Sequence, residues 1–226
     1  MGRKVATEEN TRSNLFIVAL ARTGHGKESA RAIIKTLDAK LDLECFGAEK
    51  VTSRAAIERI LSWRESSLFM IDEFGLFMKA IMSENAPKYA MEVMSTFMEV
   101  YTSSGIYYGQ DKASREEKRF EIDQPCCSIY GTSTPETFWL GLIGGTSKIR
   151  DGSLNRFTIF NAPFNRVARQ RGKILKTFPK KIVDRATYFK NMSITPGKVP
   201  GDMTEETGSP EPEIVTYTDN AWKKFE

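Results

Sequence analysis

The residues most able to do chemistry fall at four places along the chain. The first is a single run of Ala21, Arg22, Thr23, Gly24, His25, Gly26, Lys27, Glu28 and Ser29. Gly24 and Gly26 let the backbone curl until successive N–H groups point at one anion. A helix beginning at Lys27 would add its N-terminal dipole. Lys27 would then reach the β- and γ-phosphates of a nucleotide, with Thr23, Gly24, His25, Gly26, Glu28 and Ser29 completing the loop. The run departs twice from the pattern G-x-x-x-x-G-K-[ST]. Ala21 replaces the first glycine, a mild change at a strand end. Glu28 replaces the hydroxyl that normally touches Mg²⁺. A carboxylate can ligate Mg²⁺, but it also brings negative charge beside a polyphosphate, and Ser29 is the alternative ligand. A glycine-rich turn with a surface lysine would look much the same.

The second place is an apolar run, Leu68 to Ile71, closed by Asp72 and Glu73. There Asp72 would hold Mg²⁺, directly or through water, and Glu73 would polarise an attacking water. Acids also favour helix N-termini, which is the plainer reading. The third is Thr132-Ser133-Thr134 after Cys126–Tyr130. One of these hydroxyls, Thr132 or Thr134 foremost, would sit between a γ-phosphate and the water, or else cap a helix. The fourth is Arg156, just ahead of the run Phe157–Phe160. It would stabilise charge on a transferring phosphoryl group or pair with Asp151 as a structural ion pair. In this order the four sites make a P-loop ATPase that binds ATP and Mg²⁺. His25 reads as a loop residue facing nucleotide or solvent.

The elements that must position these groups are legible in outline. Asn14–Leu20 reads as a buried strand running into the glycine turn. Lys27 to Leu41 has helical spacing at Ala30, Ile33, Ile34, Leu37 and Leu41. Ser53 is placed to cap a second helix carrying Ile57, Leu61 and Trp63. Tyr89–Tyr101 is a third, with a core stripe of Met91, Val93, Met94, Phe97 and Met98. Gly105–Asp123 is a hairpin or a long loop. Strands alternating with helices predict an α/β domain with a mostly parallel sheet, whose ligands sit at the carboxyl ends of the strands. The core is expected over residues 1–192. Residues 193–226 read as a Pro- and Glu-rich linker, then the start of a further segment that runs past the end of this sequence.

Composition bounds the rest. The chain has 226 residues, 40% hydrophobic and 27% charged, and a net charge of +4. Val199–Glu226 holds seven acids and two bases, so the body is basic and permits a polyanion partner. No apolar run is long enough to cross a bilayer, and no signal peptide opens the chain. Cys45, Cys126 and Cys127 make no C-x-x-C pair and fit a reducing cytosol. One histidine removes most His-based metal sites and triads.

The run Asn14–Leu20, the loop ending Gly26-Lys27-Glu28, the segment Ser67–Gly75 with its Asp-Glu-Phe-Gly, the segment Gly131–Glu136 with its Thr-Pro-Glu, and Leu154–Phe157 together resemble the phage and plasmid primase–helicase ATPases. The resemblance covers about residues 1 to 165. It implies a RecA/AAA+-like P-loop fold, a homo-oligomeric ring taken as a hexamer, and a DNA-dependent ATPase acting on single-stranded DNA during replication of a mobile element in a bacterial host cytoplasm. It also implies a possible primase-polymerase domain as partner. In such a ring Arg156 would act on a neighbour's nucleotide, and Lys112, Arg115, Lys118 and Arg119 would face the strand. Two other readings stand beside it: a DNA-packaging ATPase, and a nucleotide-binding switch or scaffold that barely hydrolyses, which Glu28 supports.

Overall fold

The computed structural model describes residues 4–5, 13–83, 86–103, 105–110, 119–143, 152–162, 178–192 and 214–215. In chain order the elements are β1 (Lys4–Val5), β2 (Phe16–Leu20), α1 (Lys27–Leu41), β3 (Phe46–Ala48), α2 (Arg54–Trp63), β4 (Ser66–Ile71), α3 (Phe74–Met82), α4 (Lys88–Thr102), β5 (Ile106–Gln110), β6 (Arg119–Asp123), β7 (Cys126–Ser133), α5 (Pro135–Ile143), β8 (Phe157–Asn161), α6 (Lys180–Met192) and β9 (Ile214–Val215). A single 3-10 turn, Leu154–Arg156, leads into β8.

Five strands form the central sheet in the order β3-β4-β7-β2-β8, and every pairing in it is parallel. The expected α/β class with a mostly parallel sheet is therefore observed. The Gly105–Asp123 segment is a hairpin, β5 antiparallel to β6; its tip, with Lys112, Arg115 and Lys118, lies outside the described residues, as do 163–177, the linker 193–213 and the segment after Val215. Lys4–Val5 pairs in parallel with Ile214–Val215. Among the described residues no helix is long and apolar enough to cross a membrane.

The core is aromatic at its centre. Phe16, Phe69, Phe74, Phe97 and Phe138 are each essentially inaccessible. Among the ring contacts, Phe69–Phe97 is edge-on at 5.2 Å, Phe74–Phe157 tilted at 5.3 Å and Phe74–Phe138 stacked at 6.5 Å, arrangements that add to the gain from burial. The strand β2 buries Phe16, Val18 and Leu20 on one face and only half-buries Ile17 and Ala19 on the other, so its two faces are covered unequally.

The helical spacing on α1 holds, but its apolar stripe is only partly covered: Ile33 is exposed, Ala30, Ile34, Leu37 and Leu41 are half-buried, and Arg31 is the buried residue of that helix. Met91, read as part of a core stripe, and Trp63 face solvent, at 46% and 83% exposure, because they lie on the sides of their helices turned away from the buried residues. The helices α3 and α5 were legible only as alternative readings, a helix start after the acid pair and a capped helix after the hydroxyl run, while α6 and the short β3 were not anticipated.

The packing of α3 on α5 explains the glycine of the Asp-Glu-Phe-Gly segment. A Cβ on Gly75 would stand 2.5 Å from Ser133 Oγ and 2.8 Å from the Phe138 backbone nitrogen. The Gly75 N–H donates to Ser133 Oγ at 3.1 Å, so the two helices meet through the end of β7. Gly75→Ala must push these apart, and overpacking of this kind costs about 1–3 kcal/mol. Chemical denaturation of the variant is expected to show a loss in that range; a stability equal to the parent's would mean the contact relaxes freely.

Candidate functional site

Three strand ends converge at one rim. In the sheet Leu20 lies beside Ser133, and Ile71 beside Gly131. One step further brings Asp72 level with Thr132, and the chain leaving β2 enters the 21–26 loop between β7 and β8. Because β7 is inserted between β2 and β4, the Thr132 hydroxyl separates the glycine loop from the acidic pair. The carboxyl edge of a parallel sheet is where α/β proteins gather ligands.

The loop has the backbone its glycines allow. Gly24 and Gly26 lie at φ 79° and 86°, the left-handed region that residues with a Cβ avoid. Space beside Gly26 is open, with nothing within 4 Å of where a Cβ would stand. The loop turns through a hydrogen bond from His25 N to Arg22 O and delivers the chain into α1 with Gly26 as N-cap and no side-chain cap. The first amides of α1 are thus uncapped by any side chain of the N-cap residue. Lys27 folds back over the loop, its Nζ donating to the Ala21 carbonyl at 2.7 Å. His25 Nδ1 lies 3.3 Å from the Thr23 carbonyl. Its Nε2 is buried without a hydrogen-bond partner among the described residues. Thr23, Gly24 and Ser29 are exposed.

Asp72 is the most engaged of the acids. Its Oδ1 accepts from Thr132 Oγ1 at 2.8 Å and from the Glu73 N–H at 2.9 Å, and its Oδ2 pairs with Arg31 Nη1 at 2.7 Å. Partial burial pushes the Asp72 carboxyl up, but the Thr132 hydroxyl, the Glu73 amide and the Arg31 guanidinium outweigh it and hold the group below its ordinary value. Glu73 is exposed and sits at φ 50°, ψ 39°, at the N-cap of α3 with no side-chain cap bond. A glutamate in the left-handed region is strained by about 1–2 kcal/mol, and such strain collects at functional sites.

The hydroxyl segment divides its work. Thr132, fully buried, holds Asp72. Thr134 caps α5: its Oγ1 accepts from the Thr137 N–H at 3.3 Å and donates to Thr137 Oγ1 at 2.8 Å. The capping reading therefore holds at Thr134, while Thr132 is the hydroxyl that reaches the acidic pair.

Arg156 lies at the other rim. It precedes β8, and Phe157 is in register with Phe16 at the start of β2, so the length of the strand separates it from the glycine loop. There its Nη1 donates to the Gly152 carbonyl at 3.1 Å and its guanidinium stacks over Tyr101, 5.6 Å from the ring centroid. Asp151, its alternative partner, lies outside the described residues.

Arg31 is the site residue that sequence reasoning missed. It is 95% buried, since its exposure is 5%. Besides Asp72 it pairs with Glu28, Nη1 to Oε2 at 3.0 Å, and with Glu49 at the end of β3, Nη2 to Oε1 at 2.9 Å. Lys35 also pairs with Glu49. Its position one helical turn after Lys27 was the available signal: residues i and i+4 share a helix face.

The fit of a divalent cation follows from this donor set. Among the described residues no group of three or more His, Cys, Asp or Glu side chains could hold a metal. Asp72 and Glu28 instead converge on one guanidinium nitrogen. A Mg²⁺ ion at these carboxylates would have to take them from the guanidinium, with substrate phosphates and water completing its shell. Cys127 is fully buried and its thiol is pushed well up by desolvation, and burial with the neighbouring Asp38 pushes Cys45 up to about 12.

No protein-family model matches the sequence, and no curated protein matches it. A solved structure with some likeness is the C-terminal region of NrS-1 in its A-form apo structure, with 13% identity and a TM-score of 0.38. The alignment covers 81% of this chain but 36% of that one. Likeness at that level is too slight to assign a family, and the site is read from its own geometry.

Proposed function

We propose that the chain is a P-loop ATPase domain of the RecA/AAA+ type that binds ATP and Mg²⁺ at the 21–29 loop. The observation that carries this reading is the juxtaposition at one rim of an uncapped glycine loop with its lysine, an acidic pair, and a buried threonine that holds Asp72 from the strand between them. Each part has a role. The loop amides and Lys27 bind the β- and γ-phosphates, Lys27 exchanging the Ala21 carbonyl for phosphate oxygens. Asp72 and Glu28 would hold Mg²⁺, with Ser29 the alternative to Glu28. Bound there, the metal ion supplies charge stabilisation on the phosphoryl oxygens. Thr132 keeps Asp72 in place. Glu73 accepts the proton of the attacking water. Thr134 positions α5 beside the site. Arg156, at the far rim, acts on the nucleotide of an adjacent subunit in a homo-oligomeric ring.

The motor reading, an ATPase driven by single-stranded DNA in phage or plasmid replication in a bacterial cytoplasm, rests on the sequence motifs and on the basic body of the chain. A hexameric ring and a primase-polymerase partner belong to the same proposal. Phosphate release from the purified chain, with no DNA, with single-stranded DNA and with double-stranded DNA, tests it. Stimulation by single strands is the expected result. ATP binding with turnover indifferent to DNA would remove the motor. Binding without turnover would favour the nucleotide-dependent switch, a reading that the Arg31–Asp72 pairing supports, because it occupies a carboxylate the reaction needs.

A further inference from the structure

The phosphate loop carries a carboxylate, Glu28, where a hydroxyl is expected, and three acids stand around the rim: Glu28, Asp72 and Glu73. Lys27 alone would not balance them. Yet the residue buried most deeply in α1 is a cation. A charge is buried only when it is paired and hydrogen-bonded, and Arg31 meets that condition with two carboxylates of the site at once, Glu28 at 3.0 Å and Asp72 at 2.7 Å from the same Nη1. Its Nη2 is held by Glu49, whose carboxyl is itself kept below the ordinary range by Lys35 and Arg31, and its Nε is buried without a hydrogen-bond partner among the described residues. Glu49 thus anchors the guanidinium from behind, at the end of β3. The two carboxylates in front differ in exposure: Glu28 is 75% exposed and Asp72 is 49% exposed at the side chain, so both look towards the rim.

We propose that Arg31 is the built-in counter-ion of this phosphate site, a positioning residue that neutralises Glu28 and orients Asp72 so that a loop bearing a carboxylate can accept a polyphosphate. The proposal rests on the phosphate-loop reading. It assigns a reason to the two unusual residues of the loop helix together: Glu28 is tolerated because Arg31, one turn away on the same side, is there to meet it. Lysine would keep the charge, and with it the neutralisation of Glu28, while holding fewer of the three carboxylates.

A double-mutant cycle tests this, because coupling between neighbours is what it isolates. The readout is calorimetric binding of ATP, so no turnover is needed, on four chains: parent, Arg31→Gln, Glu28→Thr, and both together. With Glu28 present, Arg31→Gln is expected to weaken ATP binding at least tenfold, through the uncompensated carboxylate. In the Glu28→Thr background the same change is expected to cost threefold or less. A merely structural arginine would give the opposite pattern: an equal loss in both backgrounds, since Glu49 and Asp72 are left unpaired either way. That equal loss, or an Arg31→Gln affinity equal to the parent's, overturns the proposal. Should Arg31→Gln not fold, Arg31→Lys takes its place. Retention of ATP affinity within threefold by that folded variant supports the counter-ion role, and a larger loss overturns it. A parent that binds no ATP overturns the phosphate-loop reading itself, and this proposal with it; a parent that binds ATP while the cycle shows no coupling overturns Arg31 alone.

Discussion

Lys27→Ala is expected to weaken ATP binding by about 100-fold or more while the melting temperature of the nucleotide-free chain changes little. The bond from Lys27 Nζ to the Ala21 carbonyl, 2.7 Å long, lies within the loop, and the side chain is half-buried, not part of the core. Water at the rim can replace that bond, so the fold should lose under about 1 kcal/mol. Phosphate oxygens are a different matter. A hydrogen bond to a charged group is worth about 1.5–3 kcal/mol, and the lysine would serve both the β- and γ-phosphates. Two such contacts correspond to a factor of about 10² to 10⁴ in affinity. Calorimetric titration with ATP beside a thermal melt reads both quantities. Parental affinity in the variant would sink the phosphate-loop assignment. A collapse of the melt would instead make Lys27 a structural residue of the loop.

Glu73 gives the second large effect, and here two substitutions say more than one. Glu73→Gln keeps the shape and removes the base. Turnover is expected to fall about 10²- to 10⁴-fold, the ordinary range for general base catalysis, while ATP still binds. Glu73→Gly should lose turnover equally, yet not lose stability. The residue sits at φ 50°, and relief of that strain is worth about 1–2 kcal/mol, against about 0.5–1 kcal/mol for the extra freedom of glycine in the unfolded chain. The balance is a stability equal to the parent's or higher by up to about 1.5 kcal/mol. An inactive but sturdier variant is the signature of a residue kept for function at the expense of the fold. Normal turnover in Glu73→Gln would assign the water to another group. A marked loss of stability in Glu73→Gly would mean that the side chain holds α3 in place.

Much of this site could be read one residue at a time. Lys27 to Leu41 was legible as a helix because its apolar residues recur at helical spacing, and the helix has those bounds. Ser53 was legible as a cap because a short hydroxyl before an apolar stripe satisfies a backbone donor, and its side chain accepts from the Ala56 N–H. The apolar runs ending at Leu20, Ile71 and Tyr130 were legible as strands, and each lies in the sheet. The helices α3 and α5 were legible only at their starts, as an acid pair and a hydroxyl that favour helix N-termini. α3 buries Phe74, Met78, Ile81 and Met82 at helical spacing, but in α5 the apolar Leu140 and Ile143 face solvent, so no period stands out there. β3 is three residues long and too short to carry a pattern. α6 follows a basic stretch whose charges masked its helical character.

What the sequence determined by itself, then, was the local chemistry: a glycine loop that can curl around an anion, an acid pair after a strand, a hydroxyl run, and the elements that periodicity marks. What only the tertiary structure decided was who meets whom. Insertion of β7 between β2 and β4 puts Thr132 on Asp72, 60 residues away in the chain. The same strand order brings the ends of β3 and β4 to α1, where Glu49 and Asp72 close on Arg31. In the sequence Arg31 is one more charge beside an apolar stripe, and such a charge ordinarily points to water. Helical spacing states which residues share a face of α1. It cannot state that the face will be buried against two acids from distant strands, because that burial is a property of the sheet order, and parallel strand order is set by long-range packing that no local spacing encodes.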